Sequence, residues 1–453
     1  MKSTISLCMI VRDEENSLKF CLNSVKNIVD QMVIVDTGSK DKTIQIAKNL
    51  GADVHQFQWS DSFAEARNES IKYADGDWIL WMDADETLDP SSIAELKKIT
   101  QDKNKDYFYS VRISSRNNYQ SKVIYSDAHR LFPNGLGIRF ENRIHEQIYY
   151  SAISAGAQEK ITGIHILHEG YNLTEEEYKN KLLRNLPLLE KMVEEDRQNS
   201  YAHYTLAQNY SGLKQYENAI IHFKIAIKSD TLGNSLTTDA LNVMSQTYSY
   251  LEEWEKAKKY SKQSIKLNPM QSGAFYMLYK CSEQQNNYKE SVEYLTLLLR
   301  NTKKLNSQPN NIGNDVLISE HKIIKTLGDT YTKLGRKDKS FEFYSQLNGE
   351  ALTKTILWKI IHITGELGEW DRLIGILEKY LENNNNSEIE IYDILGQCFI
   401  KTDQMKKALN FYLKLYNSGE SSKIVLRRIA TLYAKLGNIE KAEHFIEKMN
   451  RIT

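Results

Sequence analysis

Two aspartates, Asp83 and Asp85, stand one residue apart directly after the apolar run Trp78-Ile79-Leu80-Trp81-Met82. If that run is a buried strand, both carboxylates emerge together at its end. Carboxylates are hard oxygen donors suited to Mg²⁺ or Mn²⁺. A cation held there could take up negative charge developing on a leaving group. Acidic triplets at strand ends also act as helix caps, and Asp89-Pro90-Ser91 marks a helix start soon afterwards. Further along, His129-Arg130-Leu131-Phe132, Arg143-Ile144-His145-Glu146 and His165-Ile166-Leu167-His168-Glu169-Gly170-Tyr171 set histidines beside charges. A lone histidine is usually structural, whereas three such clusters following a candidate metal motif point to a site.

The elements that must position these residues read as alternating strands and helices. Ile5–Val11, Met32–Asp36 and Trp78–Met82 are apolar, β-branched runs, Asp53–Phe57 reads as a short strand, and helical patterns cover Ser17–Val29, Lys42–Leu50 and Phe63–Tyr73. Continuous apolar strands separated by helices predict an α/β fold, a mostly parallel sheet with helices on both faces. Ligands bind such sheets at the carboxyl ends of the strands. Arg12-Asp13-Glu14, Asp36-Thr37-Gly38-Ser39 and Asp83-Ala84-Asp85 lie at those ends and could share one crevice. Strands are also predicted at Tyr107–Ile113 and Lys160–Ile166, with a charged, aromatic stretch between them.

After about Thr174 long helical patterns replace the strands. A grid of small and aromatic residues recurs: Ala207, Tyr210, Ala219 and Phe223; Ser245, Tyr248 and Ala257; Gly328, Tyr331, Ser340 and Tyr344; Gly396, Phe399, Ala408 and Tyr412; Ala430, Tyr433 and Ala442. Ala408 to Ala442 and Ala257 to Ser291 are both 34 residues, the period of tetratricopeptide helix pairs, which this half resembles. Small residues let the paired helices approach, and aromatics fill the gaps between pairs. Asn301–Asn314, with Pro309, breaks the period and predicts a loop. Residues 1–173 are thus expected to form the α/β domain and 174–453 an all-α solenoid, whose concave face would bind a peptide or protein. No residue of the solenoid has a catalytic look.

Composition narrows the function classes. The 59 basic and 59 acidic residues cancel without long runs of one sign, which argues against a dedicated nucleic-acid binder. The four cysteines lack metal-ligand or CxxC spacing and fit a reducing cytoplasm. Residues 1–11 read as a strand closed at once by Arg12-Asp13-Glu14-Glu15, so no signal peptide is expected, nor is any transmembrane segment.

Over about the first 170 residues the chain resembles family 2 glycosyltransferases. The matching segments are Cys8–Glu15, Val35–Thr43, Ala64–Asn68 and Trp78–Glu86, in the family's order. The resemblance implies a GT-A fold and a nucleoside diphosphate sugar donor, most often a UDP-sugar. By the same resemblance Asp36 would hold the base, with Val11 and Glu14 near the nucleoside. Arg67 would lie near the diphosphate, Asp83 would contact ribose or metal, and Asp85 would bind the metal. Plainer roles exist for three of these: Asp36 could cap the next turn, Arg67 could be a surface ion pair, and Glu14 could start the following helix. The later clusters resemble a branch that includes lipopolysaccharide core enzymes and bacteriocin (sublancin-type) S-glycosyltransferases, which assigns Glu146 or His145 to the catalytic base and His168 to the metal. A carboxylate suits an alcohol acceptor, whereas histidine, with a pKa of about 6.5, matches a thiol of about 8.5. Arg130 could bind phosphate or acceptor, or form an ordinary ion pair.

The implied reaction is an inverting, metal-dependent displacement. The base takes the acceptor's proton, the nucleophile attacks the anomeric carbon, and nucleoside diphosphate leaves from the opposite face. Joining such an enzyme to tetratricopeptide-like repeats makes a peptide or protein the leading acceptor, glycosylated on Cys, Ser or Thr, with a bacteriocin precursor as one case. Two other readings stand beside it: transfer to a cell-surface polysaccharide or lipid-linked glycan, and a non-catalytic repeat-based adaptor. By analogy alone, the repeats could also join two copies into a homodimer.

Overall fold

The structure is a computed structural model and describes residues 3–102, 104–117, 122–168, 174–307, 318–384 and 389–452. Eight strands form one sheet: β1 (Ile5–Val11), β2 (Gln31–Asp36), β3 (Asp53–Gln56), β4 (Trp78–Trp81), β5 (Glu86–Leu88), β6 (Tyr107–Asn117), β7 (Lys122–Pro133) and β8 (Gln158–His168). Their order across the sheet is β3-β2-β1-β4-β7-β6-β8-β5. The first four are parallel, in keeping with the continuous apolar runs of β1, β2 and β4. Beyond β4 the sheet turns mixed: β7 runs antiparallel to both β4 and β6, and β8 is parallel to β6 but antiparallel to β5.

Strand alternation sorts the core onto two faces. Leu7, Met9, Ile34 and Leu80 pack with α1 (Leu18–Val25), α2 (Thr43–Asn49) and α4 (Ile93–Gln101). Cys8, Val33, Ile79 and Trp81 pack on the other face with α3 (Phe63–Lys72) and α5 (Tyr149–Ser154). The four cysteines are buried, and none is in a disulfide.

Three expectations need correction. The first helix stops at Val25 instead of Val29, because Ile28 and Val29 fold back through backbone bonds to the Val25 carbonyl and reach the core from a turn. The stretch between the two later strands holds β7, and β6 and β8 outrun their expected ends. Asn301–Ser307, expected as loop, is the last part of a helix; the rest of that stretch lies outside the described residues.

The chain divides into two compact units, the first built on Met1–Ala274 and the second on the remainder from Phe275. The first therefore also contains α6 (Glu175–Glu195), α7 (Ser200–Gly212), α8 (Tyr216–Lys228), α9 (Gly233–Tyr250) and α10 (Trp254–Leu267). Thr174 caps α6 in a reciprocal box with Glu177. The second unit comprises α11 (Ser272–Gln284, shared at its start with the first), α12 (Tyr288–Ser307), α13 (Glu320–Lys333), α14 (Lys337–Tyr344), α15 (Lys354–Leu367), α16 (Trp370–Asn383), α17 (Ile389–Lys401), α18 (Met405–Asn417), α19 (Lys423–Lys435) and α20 (Ile439–Asn450). A Cβ at Gly328 would overlap the Tyr344 ring and one at Gly396 the Tyr412 ring, so at these grid positions only glycine admits the partner helix's aromatic. Among the described residues no helix is long and apolar enough to cross a membrane.

Candidate active site

The parallel strands deliver the early motifs to one end of the sheet. Val11 and Asp36 are paired in register at the carboxyl ends of β1 and β2, and the Val11 carbonyl accepts from the Thr37 backbone (3.0 Å) and hydroxyl (3.1 Å). Asp36 is buried, and its carboxylate accepts from the backbone N–H of Gly38 (3.1 Å) and Ser39 (3.2 Å), so it shapes the turn after β2. Glu14 is half-buried and accepts from the Ser17 hydroxyl at 2.6 Å. Burial raises its pKa, the Ser17 bond opposes this, and the nearby charges of Asp85 and Asp83 add to the rise. Glu14 thus faces the acidic pair.

Asp83 sits between two guanidinium groups. Arg67, on α3, donates from Nη2 to Asp83 Oδ1 at 2.6 Å, and Arg130, on β7, reaches Asp83 Oδ2 at 3.4 Å. Burial alone would favour the neutral acid, but the two arginines outweigh it and hold the Asp83 pKa well below the usual carboxylate range. Arg67 is 6% exposed and Arg130 4%, so neither is a surface ion-pair residue. Both stack on Trp81, their central carbons 4.1 and 3.5 Å from the ring centroid. Arg130 also donates to Glu86 at 2.6 Å, while burial pushes the Glu86 carboxyl above its ordinary pKa against that pull. Arg67 Nη1 and Arg130 Nε and Nη1 are buried without a hydrogen-bond partner.

Sheet register brings Asp85 and His168 together. Glu86 of β5 pairs with His168 of β8, and Ser115 of β6 pairs with His168 from the other side. His168 Nε2 lies 3.0 Å from Asp85 Oδ2, and Nδ1 lies 3.2 Å from the Ser115 hydroxyl. Burial lowers the His168 pKa, but the bond to Asp85 and the surrounding carboxylates carry it above the ordinary value. The remainder of that sequence cluster, Glu169-Gly170-Tyr171, lies outside the described residues. Among the described residues no three His, Cys, Asp or Glu side chains group to hold a metal by themselves. Asp85 and His168 do fit as two ligands of an open site, one oxygen and one nitrogen donor with the imidazole oriented by a partner on its other nitrogen.

His145 and Glu146 come from a loop pinned at its base by paired backbone bonds between Glu141 and Gln147. His145 adopts a left-handed backbone, φ 54°, a conformation worth about 1–2 kcal/mol of strain. The loop is held by Tyr201 of α7, whose hydroxyl donates to the His145 carbonyl at 3.1 Å and accepts from Gln147 at 2.8 Å, and by the Arg143–Glu195 pair. Glu146 turns inward, 10% exposed at its side chain, and accepts from Arg67 Nε; His145 keeps exposed surface at the wall of a groove, yet the protein crowded around it lowers its pKa by desolvation. Arg67 therefore joins Asp83 to Glu146.

The geometry brings Arg67, Asp83, Asp85, Glu146 and His168 into one linked cluster, with Glu14 close enough to feel its charge. Asp36 and Val11 stand at neighbouring strand ends. Sequence reasoning missed Glu86, Trp81, Ser115 and Tyr201. Trp81 carried a usable signal, since it and Asp83 stand two apart at a strand end. Glu86 and Ser115 carried none.

Residues 6–162 match glycosyl transferase family 2, and residues 200–231 and 238–269 match the tetratricopeptide repeat. A TPR repeat-containing protein of Synechococcus elongatus is 41% identical over 155 residues, 34% of this chain and 38% of that protein. The SPbeta prophage-derived glycosyltransferase SunS of Bacillus subtilis is 29% identical over 232 residues, 50% of this chain and 54% of that protein. An uncharacterized glycosyltransferase of Rickettsia bellii is 32% identical over 160 residues, 33% of this chain and 52% of its own. The chain thus spans about half the length, or less, of these relatives. It carries a family 2 glycosyltransferase domain joined to tetratricopeptide repeats.

Proposed function

We propose that the protein is an inverting, metal-dependent glycosyltransferase that moves a sugar from a UDP-sugar to a cysteine, serine or threonine side chain of a peptide or protein. The observation that carries this reading is the cluster at the strand ends, where Arg67 links Asp83 to Glu146 beside the Asp85–His168 pair. Val11, Glu14 and Asp36 would line the nucleoside site, and Arg67 would lie near the diphosphate, which its planar, permanently charged fork suits. A divalent cation, Mg²⁺ or Mn²⁺ held by Asp85 and His168, would stabilise charge developing on the departing diphosphate.

Glu146 would take the proton of an alcohol, and His145 that of a thiol. As the acceptor's oxygen or sulfur bonds to the anomeric carbon, the bond from that carbon to the UDP oxygen breaks, its electron pair leaves with UDP, and the configuration inverts. Glu146 Oε1 accepts from Arg67 Nε. Only the oxygen turned away from Arg67 can serve as base.

The test is hydrolysis and transfer with a UDP-sugar panel in the presence of Mn²⁺ or Mg²⁺, using cysteine, serine and threonine peptides and reading mass shifts. Metal-dependent turnover that is lost in Asp85→Ala is the expected result. Equal turnover in that variant would remove the metal role, and sugar addition to lipid or glycan alone would remove the peptide acceptor.

A further inference from the structure

Beside His145 a groove of about 830 Å³ opens within the first compact unit and crosses three helices. Its walls are single-face stripes: Lys181 and Asn185 of α6, Gln208 and Asn209 of α7, and Gln246 and Tyr250 of α9. Asn185 is only 5% exposed and Asn209 4%, yet the side-chain oxygen of each is buried without a hydrogen-bond partner. Buried polar atoms are almost always satisfied, so two unsatisfied amides on facing helices of one groove are the mark of a ligand that completes them. A primary amide offers an acceptor and two donors, the complement of a peptide group's N–H and C=O.

The charges indicate what that peptide carries. No carboxylate lines the groove among the described residues, whereas Lys181 and Lys214 both do, Lys214 with an exposed Glu175 at 3.7 Å as its partner. Tyr216 and Tyr250, also in the lining, stack on each other with ring centroids 5.2 Å apart, so each already spends one ring face. Both features favour an acidic peptide over a carbohydrate, which would use carboxylates for its paired hydroxyls and open rings for its sugar faces.

We propose that this groove is the acceptor channel, in which an extended peptide with acidic side chains is held through its backbone by Asn185 and Asn209 and presents its nucleophile at the His145–Glu146 loop. What the peptide is for rests on the transferase reading above; its binding does not. The channel also gives a specificity: residues flanking the glycosylated position should be Asp or Glu.

The experiment uses the full chain and fluorescein-labelled peptides with a central cysteine or serine, flanked by Asp and Glu, by Ser and Gly, or by Lys, with binding read as anisotropy in the absence of donor. The acidic peptide is expected to bind at least tenfold tighter than the lysine one. Asn185→Leu with Asn209→Leu should weaken it at least tenfold while melting cooperatively. Lys181→Glu with Lys214→Glu, changes on exposed side chains, should reverse the flank preference while the protein still melts cooperatively. Indifference to flanking charge, unaltered affinity in the asparagine variants, or binding of labelled oligosaccharides in place of peptides would overturn the channel. Separate measurement of UDP-sugar hydrolysis keeps the two readings apart: asparagine-dependent peptide binding without hydrolysis would retire the transferase and leave the channel standing.

Discussion

Arg67 is the residue on which the site turns, because one buried guanidinium bonds two carboxylates from separate segments, Asp83 and Glu146. Removing it leaves both acids with a shortfall of positive charge in a place with little water. Arg67→Ala should therefore destabilise the first unit by about 3–5 kcal/mol, the range for breaking a buried pair from one side, seen as a lower midpoint in urea unfolding. Glu146→Gln behaves differently, since an amide oxygen can still accept from Arg67. It should keep the melting temperature and lower transfer to a serine or threonine peptide by about 10²–10⁴-fold, the usual contribution of a general base; near-parental rates would transfer the role to His145. The residues with motif spacing were legible in the sequence, but their mutual bonding was not. Nothing in the string Asp83-Ala84-Asp85-Glu86 tells that Asp83 bridges two arginines, Asp85 meets His168 and Glu86 turns into the core. Those outcomes depend on which strand lies next to which.

At the scale of elements, legibility followed burial. Strands β1, β2 and β4 are covered on both faces, so each appears as a plain apolar run. Strand β7 was invisible for the opposite reason: its inward face carries Arg130, which serves the site, and the hydrophobic alternation is interrupted where function needs a charge. A second element-level feature is the stacked pair His203 and His222, joining α7 and α8 with Nδ1 to Nδ1 at 2.8 Å. His203 Nε2 faces the Arg197 carbonyl at 3.1 Å, and a carbonyl can only accept, so Nε2 carries a proton. Only one proton fits between the two Nδ1 atoms, so the two rings cannot both be charged. Burial and the neighbouring His203 accordingly depress the His222 pKa to about 4. A depressed folded-state value means that stability is full above the unfolded pKa of about 6.5 and declines as pH falls toward 4. The melting temperature of the parent should drop across that window more than that of His222→Phe, which has no proton to bind; parallel pH profiles would show that His222 is not the group responsible.

At the scale of the whole molecule, the sheet and the first helices behave as one object. The boundary near residue 173 marks where strands end and helices begin, yet Met1–Ala274 form one compact unit. The reason lies in the loop that carries His145 and Glu146. Its anchors, Tyr201 on α7 and Glu195 at the end of α6, are supplied by the helical segment, as is the Thr231 carbonyl that accepts from Tyr150. These are polar bonds between segments 50 or more residues apart, and no local pattern announces them. A fragment ending at residue 173 keeps the strand ends and the arginine cluster but loses every one of these anchors. It should bind UDP with Mn²⁺ within a fewfold of the full chain while its UDP-sugar hydrolysis falls about 10²-fold, the cost of a catalytic group displaced by about 1 Å. A fragment ending at residue 271, ahead of α11, retains the anchors and should hydrolyse donor within about threefold of the full chain. Amide hydrogen exchange gives the structural reading: residues 141–147 should exchange faster in the shorter fragment and at the parental rate in the longer one. Equal hydrolysis by the two fragments would mean that the helices do not hold the catalytic loop and serve the acceptor alone.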